Sequence, residues 1–426
     1  MIAVALVFFT LLLFGVPVGY VLGIAGIVGM AQIGGEQFLA MAPKRFFAGL
    51  DLFPFLAMPF FILAGEIMNR SGITHKLVGF ADALVGYLRG GMAHTNMVAS
   101  VFFAGITGAA TADAAAFGNT MVPAMVKNGY SRPFACAVTA AGSIIGPTIP
   151  PSTLMVIYGS LMGVSIAGMF AAGILPGLLI CLLCMALIVA FGRRWKLPKS
   201  EKRPSLIRIF KAFRESLLAL VMPVLILGFI LGGVTTPTEA ASIAVAYALI
   251  LGGLVYRSLT LRDLYEMLAR TALITGIIFL IIASASILGW WMTFEQIPQA
   301  IAAGFLSISQ DPQAVIAMIL LLLLVIGMFM DINAALIILA PVLAPLTATI
   351  GMDPVHAGVM IVLALNISLM TPPVGACLFV LSSVTGERIE AIAKSLWPFL
   401  LVEAGILVLI AYWEDLTLFM PRLLGL

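Results

Sequence analysis

Residues 134–160 read FACAVTAAGSIIGPTIPPSTLMVIYGS, and residues 356–383 read HAGVMIVLALNISLMTPPVGACLFVLSS. Each run is apolar and longer than the roughly 20 residues a helix needs to cross a bilayer. Each is interrupted by a double proline, Pro150-Pro151 and Pro372-Pro373. Proline lacks an N–H and clashes with the carbonyl four residues back. The first interruption therefore frees the carbonyls of Ser143, Gly146 and Pro147, and the second those of Ser368 and Leu369. Bare carbonyls cannot face lipid. Either neighbouring Ser and Thr side chains repair them, as in an ordinary proline kink, or they hold a cation. Further oxygens stand beside both breaks: Ser143, Thr148 and Ser152 in the first, Asn366, Ser368 and Thr371 in the second. Two matched, oxygen-rich breaks suit a hard monovalent ion such as Na⁺.

Composition agrees with burial in lipid. The chain has 426 residues, 62% hydrophobic and only 10% charged. Soluble proteins carry about 25% charged residues. Mean hydropathy is +1.17. The expected class is an all-α polytopic membrane protein. A nucleic-acid binder, a secreted disulfide scaffold and a disordered chain are excluded. So is a transmembrane barrel, whose strands alternate in polarity. The chain is apolar from Met1 to about Met30, which reads as a first span rather than a cleaved leader.

Charge is concentrated in one place. Residues 193–215 hold nine basic and two acidic side chains, within a net charge of +3 for the whole chain. The positive-inside rule makes this linker cytoplasmic. It separates a first half, 1–192, from a second, 216–426. Within it, 205–219 could form an amphipathic helix on the membrane surface.

The halves share a pattern. Asp113 and Asp331 are 218 apart, as are Pro123 and Pro341; beyond these the offset becomes 222 and pairs Gly129 with Gly351 and the two double prolines. Ahead of each broken helix lies an apolar stretch, about 94–125 and 314–350, too long for one span and short for two. Each reads as a re-entrant hairpin or as one long tilted helix. The first tip is Gly105-Ile-Thr-Gly-Ala-Ala-Thr-Ala-Asp113 and the second Gly327-Met-Phe-Met-Asp331-Ile-Asn333. Glycines there permit tight turns and close approach of a ligand. Asp113 is the only charged residue between Gly90 and Val126. A lone intramembrane acid is a functional candidate, or it caps the helix that follows. Duplicated halves with interrupted helices at matching places mark a secondary transporter.

Other chemistry finds no support. No phosphate-binding loop of the G-x-x-x-x-G-K-[ST] type is present, so the chain does not itself use ATP. Three scattered histidines make no metal cage, and Cys181-x-x-Cys184 lies inside a solid apolar run. An enzyme is not expected. From Thr271 to Glu387 there is no Lys or Arg. An anionic solute would there be met by helix N-termini and bound cations rather than by a basic side chain.

Four segments carry a family resemblance: Met58-Pro-Phe-Phe-Ile-Leu-Ala-Gly65, Gly142-Ser-Ile-Ile-Gly-Pro-Thr-Ile-Pro-Pro-Ser152, Thr236-Pro-Thr-Glu-Ala-Ala241 and Met370-Thr-Pro-Pro-Val-Gly375. With them the chain resembles the large membrane subunit of the tripartite ATP-independent periplasmic (TRAP) transporters. The resemblance implies two inverted repeats, two re-entrant hairpins and an elevator fold like that of the divalent-anion/Na⁺ symporters. It implies Na⁺-coupled uptake of an organic acid, with Na⁺ the coupling ion and no other cofactor. It implies a periplasmic substrate-binding protein and a small four-helix membrane subunit as partners in the bacterial inner membrane. Since 426 residues are used up here, the small subunit is expected on a separate chain.

Carried onto this sequence, the resemblance implies Na⁺ ligands at Thr107, Gly108 and Thr111 with Ser143, Gly146 and Thr148, and at Gly327 with Asn366, Thr371 and Gly375. It implies substrate contacts at Thr111, Asp113, Pro150, Ser152, Asp331, Asn333 and Pro372. Glu239 reads as a helix-start cap. The alternative is a stand-alone Na⁺/anion symporter of related fold that needs no binding protein.

Overall fold

A computed structural model describes residues 2–34, 36–199 and 204–426, apart from the side chains of Glu36 and Thr107. The described residues form helices and no strand. Among the described residues seven helical stretches are long and apolar enough to cross a membrane, or eight if 37–48 and 53–70, bent by 54°, count as one span. Their outer faces carry bare aliphatic side chains such as Leu182, Val189, Leu273 and Leu401. Apolar surface on that scale is the face a membrane helix shows to lipid.

The two broken helices occupy the centre. The first runs Arg132–Ser143 and Ile145–Thr148, breaks at 149–152, and resumes as Thr153–Met162. The second runs Pro354–Ser368, breaks at 369–375, and resumes as Ala376–Thr385. Almost every side chain from Phe134 to Tyr158 and from His356 to Met370 is buried. Both chains therefore break at Pro-Pro, where the missing N–H groups forbid helix.

Both long apolar stretches are helix–turn–helix hairpins. The first is Gly91–Thr107 with Ala110–Lys127, the second Pro312–Gly327 with Ile332–Thr349. At about 1.5 Å per residue the arms are about 24–27 Å long, short of a ~30 Å hydrocarbon core.

The hairpins enter from opposite ends of the bundle. At the base of the first, Gly90 N–H donates to Pro198 O (3.0 Å) and Arg89 Nε to Leu197 O (3.3 Å). Gly129 and Tyr130, at its other foot, share a cleft with Lys196, Pro198 and Lys394. At the base of the second, Tyr412 Oη donates to Gln313 O (2.9 Å). Lys394 and Tyr412 lie on one helix, Ile389–Tyr412, and their 18-residue separation spans about 27 Å. The broken helices are antiparallel for the same reason. Tyr158, in the second part of the first, donates to Pro354 O at the start of the second (3.4 Å). Thr385, at the end of the second, lies 3.4 Å from Cys136, near the start of the first.

Helix bounds correct the register read from sequence. Ala110–Lys127 and Ile332–Thr349 are each 18 residues long. Their ends are 222 apart, as are the starts of the following helices at Arg132 and Pro354. Asp331 therefore matches Ala109, Asp113 matches Ala335, and Pro123 matches Pro345 rather than Pro341. Two other expectations change. The stretch 1–30 is not one span but two helices, Ile2–Leu13 and Val18–Gly34, divided where Gly15 adopts φ +74° ahead of Pro17. The amphipathic 205–219 segment is the first part of one 26-residue helix, Leu206–Leu231, capped by Ser205, whose Oγ accepts from Arg208 N–H. Linker residues 200–203 lie outside the described residues.

Candidate functional site

Each hairpin tip rests on a broken helix through a glycine. Gly108 adopts φ +59°, and a Cβ there would stand 2.4 Å from Pro151 O. Thr153 Oγ1 donates to Gly108 O across the same contact (3.4 Å). A Cβ at Gly327 would stand 2.1 Å from Ser368 Oγ. The two breaks also touch, with Ser143 Oγ 3.6 Å from Cys377 Sγ.

Four hydroxyls beside the breaks spend their protons on the backbone. Ser143, Thr148, Ser368 and Thr371 each donate their hydroxyl proton to a carbonyl three or four residues back, at 2.6–2.9 Å. A hydroxyl that gives its proton to the backbone keeps two acceptor lone pairs. Asn366 is fully buried, and neither its Oδ1 nor its Nδ2 has a hydrogen-bond partner among the described residues. Burying an unpaired amide costs free energy. A cation at the second break would engage that oxygen, and the donor set of hydroxyls, carbonyls and one amide is of the kind Na⁺ takes. The side chain of Thr107 lies outside the described residues.

Between the tips and the helices Ala57–Arg70 and Leu261–Phe294 lies a cavity of about 400 Å³. Gly108, Thr111, Asp331 and Asn333 line it, as do Pro147 and Thr153 beside the first break and Leu369 and Ala376 beside the second. Four helices begin on this wall, at Ala110, Thr153, Ile332 and Ala376. Helix N-termini carry partial positive charge and unpaired N–H groups, which suits an anion.

Other predicted contacts lie elsewhere. Asp113 is fully buried in the first turn of its arm and packs on Gly146, behind the cavity. Pro150, Ser152 and Pro372 do not line the cavity either. Ser152 instead caps Thr153–Met162, its Oγ accepting from Met155 N–H (3.4 Å). Asp331 caps its arm, with Oδ1 accepting from Asn333 N–H (3.0 Å) and Ala334 N–H (3.3 Å). Glu239 completes a capping box with Thr236.

Sequence reasoning missed two features. Arg270 lines the cavity with Glu66 and Asn69, its Nε 3.2 Å from Glu66 Oε1. It stands one position before the Lys/Arg-free window, so the site does hold a basic side chain. Glu403 is fully buried in Ile389–Tyr412, and its Oε1 accepts from Cys184 Sγ (3.9 Å). The argument applied to Asp113, a lone acid in an apolar run, would have found it. Among the described residues no group of three His, Cys, Asp or Glu side chains could hold a metal ion.

The family model "Tripartite ATP-independent periplasmic transporter, DctM component" matches residues 5–416. The chain belongs to the DctM family of TRAP transporters. It is a multi-pass permease component of the bacterial inner membrane, not an enzyme. Among relatives, it is 39% identical over 416 residues to the sialic acid TRAP transporter large permease SiaM of Vibrio cholerae, covering 97% of this chain and 96% of that one. It is 35% identical to the C4-dicarboxylate TRAP transporter large permease DctM of Pseudomonas aeruginosa, covering 95% and 94%. It is 33% identical to the 2,3-diketo-L-gulonate TRAP transporter large permease YiaN of Escherichia coli, covering 95% of each. The fold is similar to that of the Alcanivorax borkumensis transporter YdaH, with a TM-score of 0.61, 15% identity and coverage of 90% and 89%.

Proposed function

We propose that this chain is the permease subunit of a Na⁺-driven importer of small organic acids. A periplasmic binding protein delivers the acid, and a small four-helix subunit completes the complex in the membrane. The observation that carries the reading is the matched seating of two hairpin tips on two broken helices, Gly108 on Pro151 and Gly327 on Ser368. Na⁺ at the two breaks adds positive charge behind helix N-termini that already favour an anion. The relatives' solutes named above are all acids, which supports that class here.

The two halves form inverted repeats in this reading, since the hairpins enter from opposite ends. The basic linker makes the first hairpin's end cytoplasmic. Hairpins and broken helices move together against Ala57–Arg70 and Leu261–Phe294, as an elevator. The test is solute uptake into vesicles holding this chain and its two partners. Uptake should vanish when choline replaces Na⁺, and uptake driven equally well by a pH gradient alone would overturn Na⁺ coupling. Full uptake by this chain alone would instead establish a stand-alone symporter.

A further inference from the structure

The hairpin wall of the cavity presents helix N-termini; the other wall has one cation. Among the described lining residues, the charged side chains are Glu66, Asp331 and Arg270. Asp331 spends its Oδ1 on the start of its own helix. Arg270 presents Nε to Glu66 at 3.2 Å, and its side chain is 63% exposed against 19% for Glu66. A guanidinium carries five N–H donors in a planar fork, so one carboxylate beside Nε leaves the terminal edge for another acceptor. Arg70, one turn further along the same helix pair, differs. Its Nε donates to Asp263 Oδ1 (2.9 Å) and its Nη2 to Glu266 Oε2 (2.6 Å), so two acids claim it, and it does not line the cavity. A brace between the two helices is thus already supplied by Arg70.

We propose that Arg270 is the contact on this wall for the acid group of the transported solute. The inference rests on the organic-acid reading above and adds the residue that would hold the acid. The solute's carboxylate or sulfonate takes the terminal edge of the fork, in the charge-assisted, two-point geometry that arginine makes with such groups. Glu66 holds the side chain in place through Nε and competes with the solute for its charge. An acid bearing a second polar group then spans the cavity, from Arg270 to the helix N-termini at Ala110 and Ile332.

The test titrates the purified full-length chain, in Na⁺, with succinate, N-acetylneuraminate, 2,3-diketo-L-gulonate and isethionate. Wild type is compared with Arg270→Gln, Arg270→Lys and Glu66→Gln. The expected result is binding of at least one acid by wild type and at least about tenfold weaker binding by Arg270→Gln. Arg270→Lys should recover part of the loss, since it keeps charge without the fork, and Glu66→Gln should bind more tightly. Wild type that binds none of the four acids overturns the organic-acid reading. Wild type that binds while Arg270→Gln matches it overturns this inference alone. If Arg270→Gln does not fold, unchanged affinity in Arg270→Lys together with weaker binding in Glu66→Gln overturns it equally, because a mere brace would behave that way.

Discussion

The carboxylate of Asp113 lies against the α-carbon of Gly146, so close that a Cβ at Gly146 would stand 2.1 Å from Asp113 Oδ2. The contact joins the first turn of a hairpin arm to the helix segment just ahead of the first break. Both residues are buried, Asp113 completely, so neither can move aside into solvent. Gly146→Ala should therefore push the arm off the break. Overpacking of this kind costs about 1–3 kcal/mol. Na⁺-dependent uptake should fall at least tenfold, and Na⁺ should no longer raise the thermal midpoint. Asp113→Ala should impair uptake with expression retained; normal uptake in both variants would remove this contact from the mechanism.

Two of the glycines with positive φ, Gly108 and Gly163, make a sharper comparison. Gly108 (φ +59°) has Pro151 O in the way of a side chain, whereas Gly163 (φ +65°) has nothing within 4 Å. Alanine in a left-handed conformation costs about 1–2 kcal/mol at either site. Only at position 108 does a steric term add to it, and only there does the residue face the cavity. Gly163→Ala should lose some stability and keep its uptake rate. Gly108→Ala should lose uptake nearly completely. Equal uptake in the two variants would show that the first tip need not sit on Pro151.

Much of this was legible in the sequence because proline and glycine act locally. Pro150-Pro151 and Pro372-Pro373 pointed to two breaks, and the helices ahead of them end at Thr148 and Ser368; the lengths of 94–125 and 314–350 left a hairpin or one tilted helix open, and each is a pair of helices joined by a turn. The register was misread because Asp113 and Asp331 look alike in sequence while standing differently in their arms. Asp331 caps from outside the helix; Asp113 lies within its first turn. A four-residue error is about one helical turn, which keeps the same face and so hides itself. Arg270 escaped for a different reason. Its partnership with Glu66 bridges 204 positions of chain, and no local pattern encodes a contact of that range.

Sidedness of the hairpins can be measured directly. All four native cysteines are buried, so background labelling should be low. Asn128, at the foot of the first hairpin, and Thr349, at the foot of the second, are both exposed. Asn128→Cys should react with a membrane-impermeant maleimide only from the side of the basic linker. Thr349→Cys should react only from the other. Labelling of both from one side would refute the inverted arrangement.

Asn366 offers the cleanest test of the coupling ion. Its amide is buried without a partner among the described residues, so in the absence of a ligand it is a liability to the fold rather than a support. Replacing it with an apolar residue of similar volume should leave the thermal midpoint in Na⁺-free buffer unchanged or slightly higher. What should disappear is the rise of that midpoint on adding Na⁺. A ligand that binds only the folded state stabilises it by RT ln(1 + [L]/Kd), about 2.7 kcal/mol at a hundredfold excess over Kd. Asn366→Leu should abolish most of that gain and raise the Na⁺ concentration for half-maximal uptake at least about tenfold, a change of about 1.4 kcal/mol. A wild-type Na⁺ response in Asn366→Leu would place the cation elsewhere and leave the orphaned amide without a role in transport.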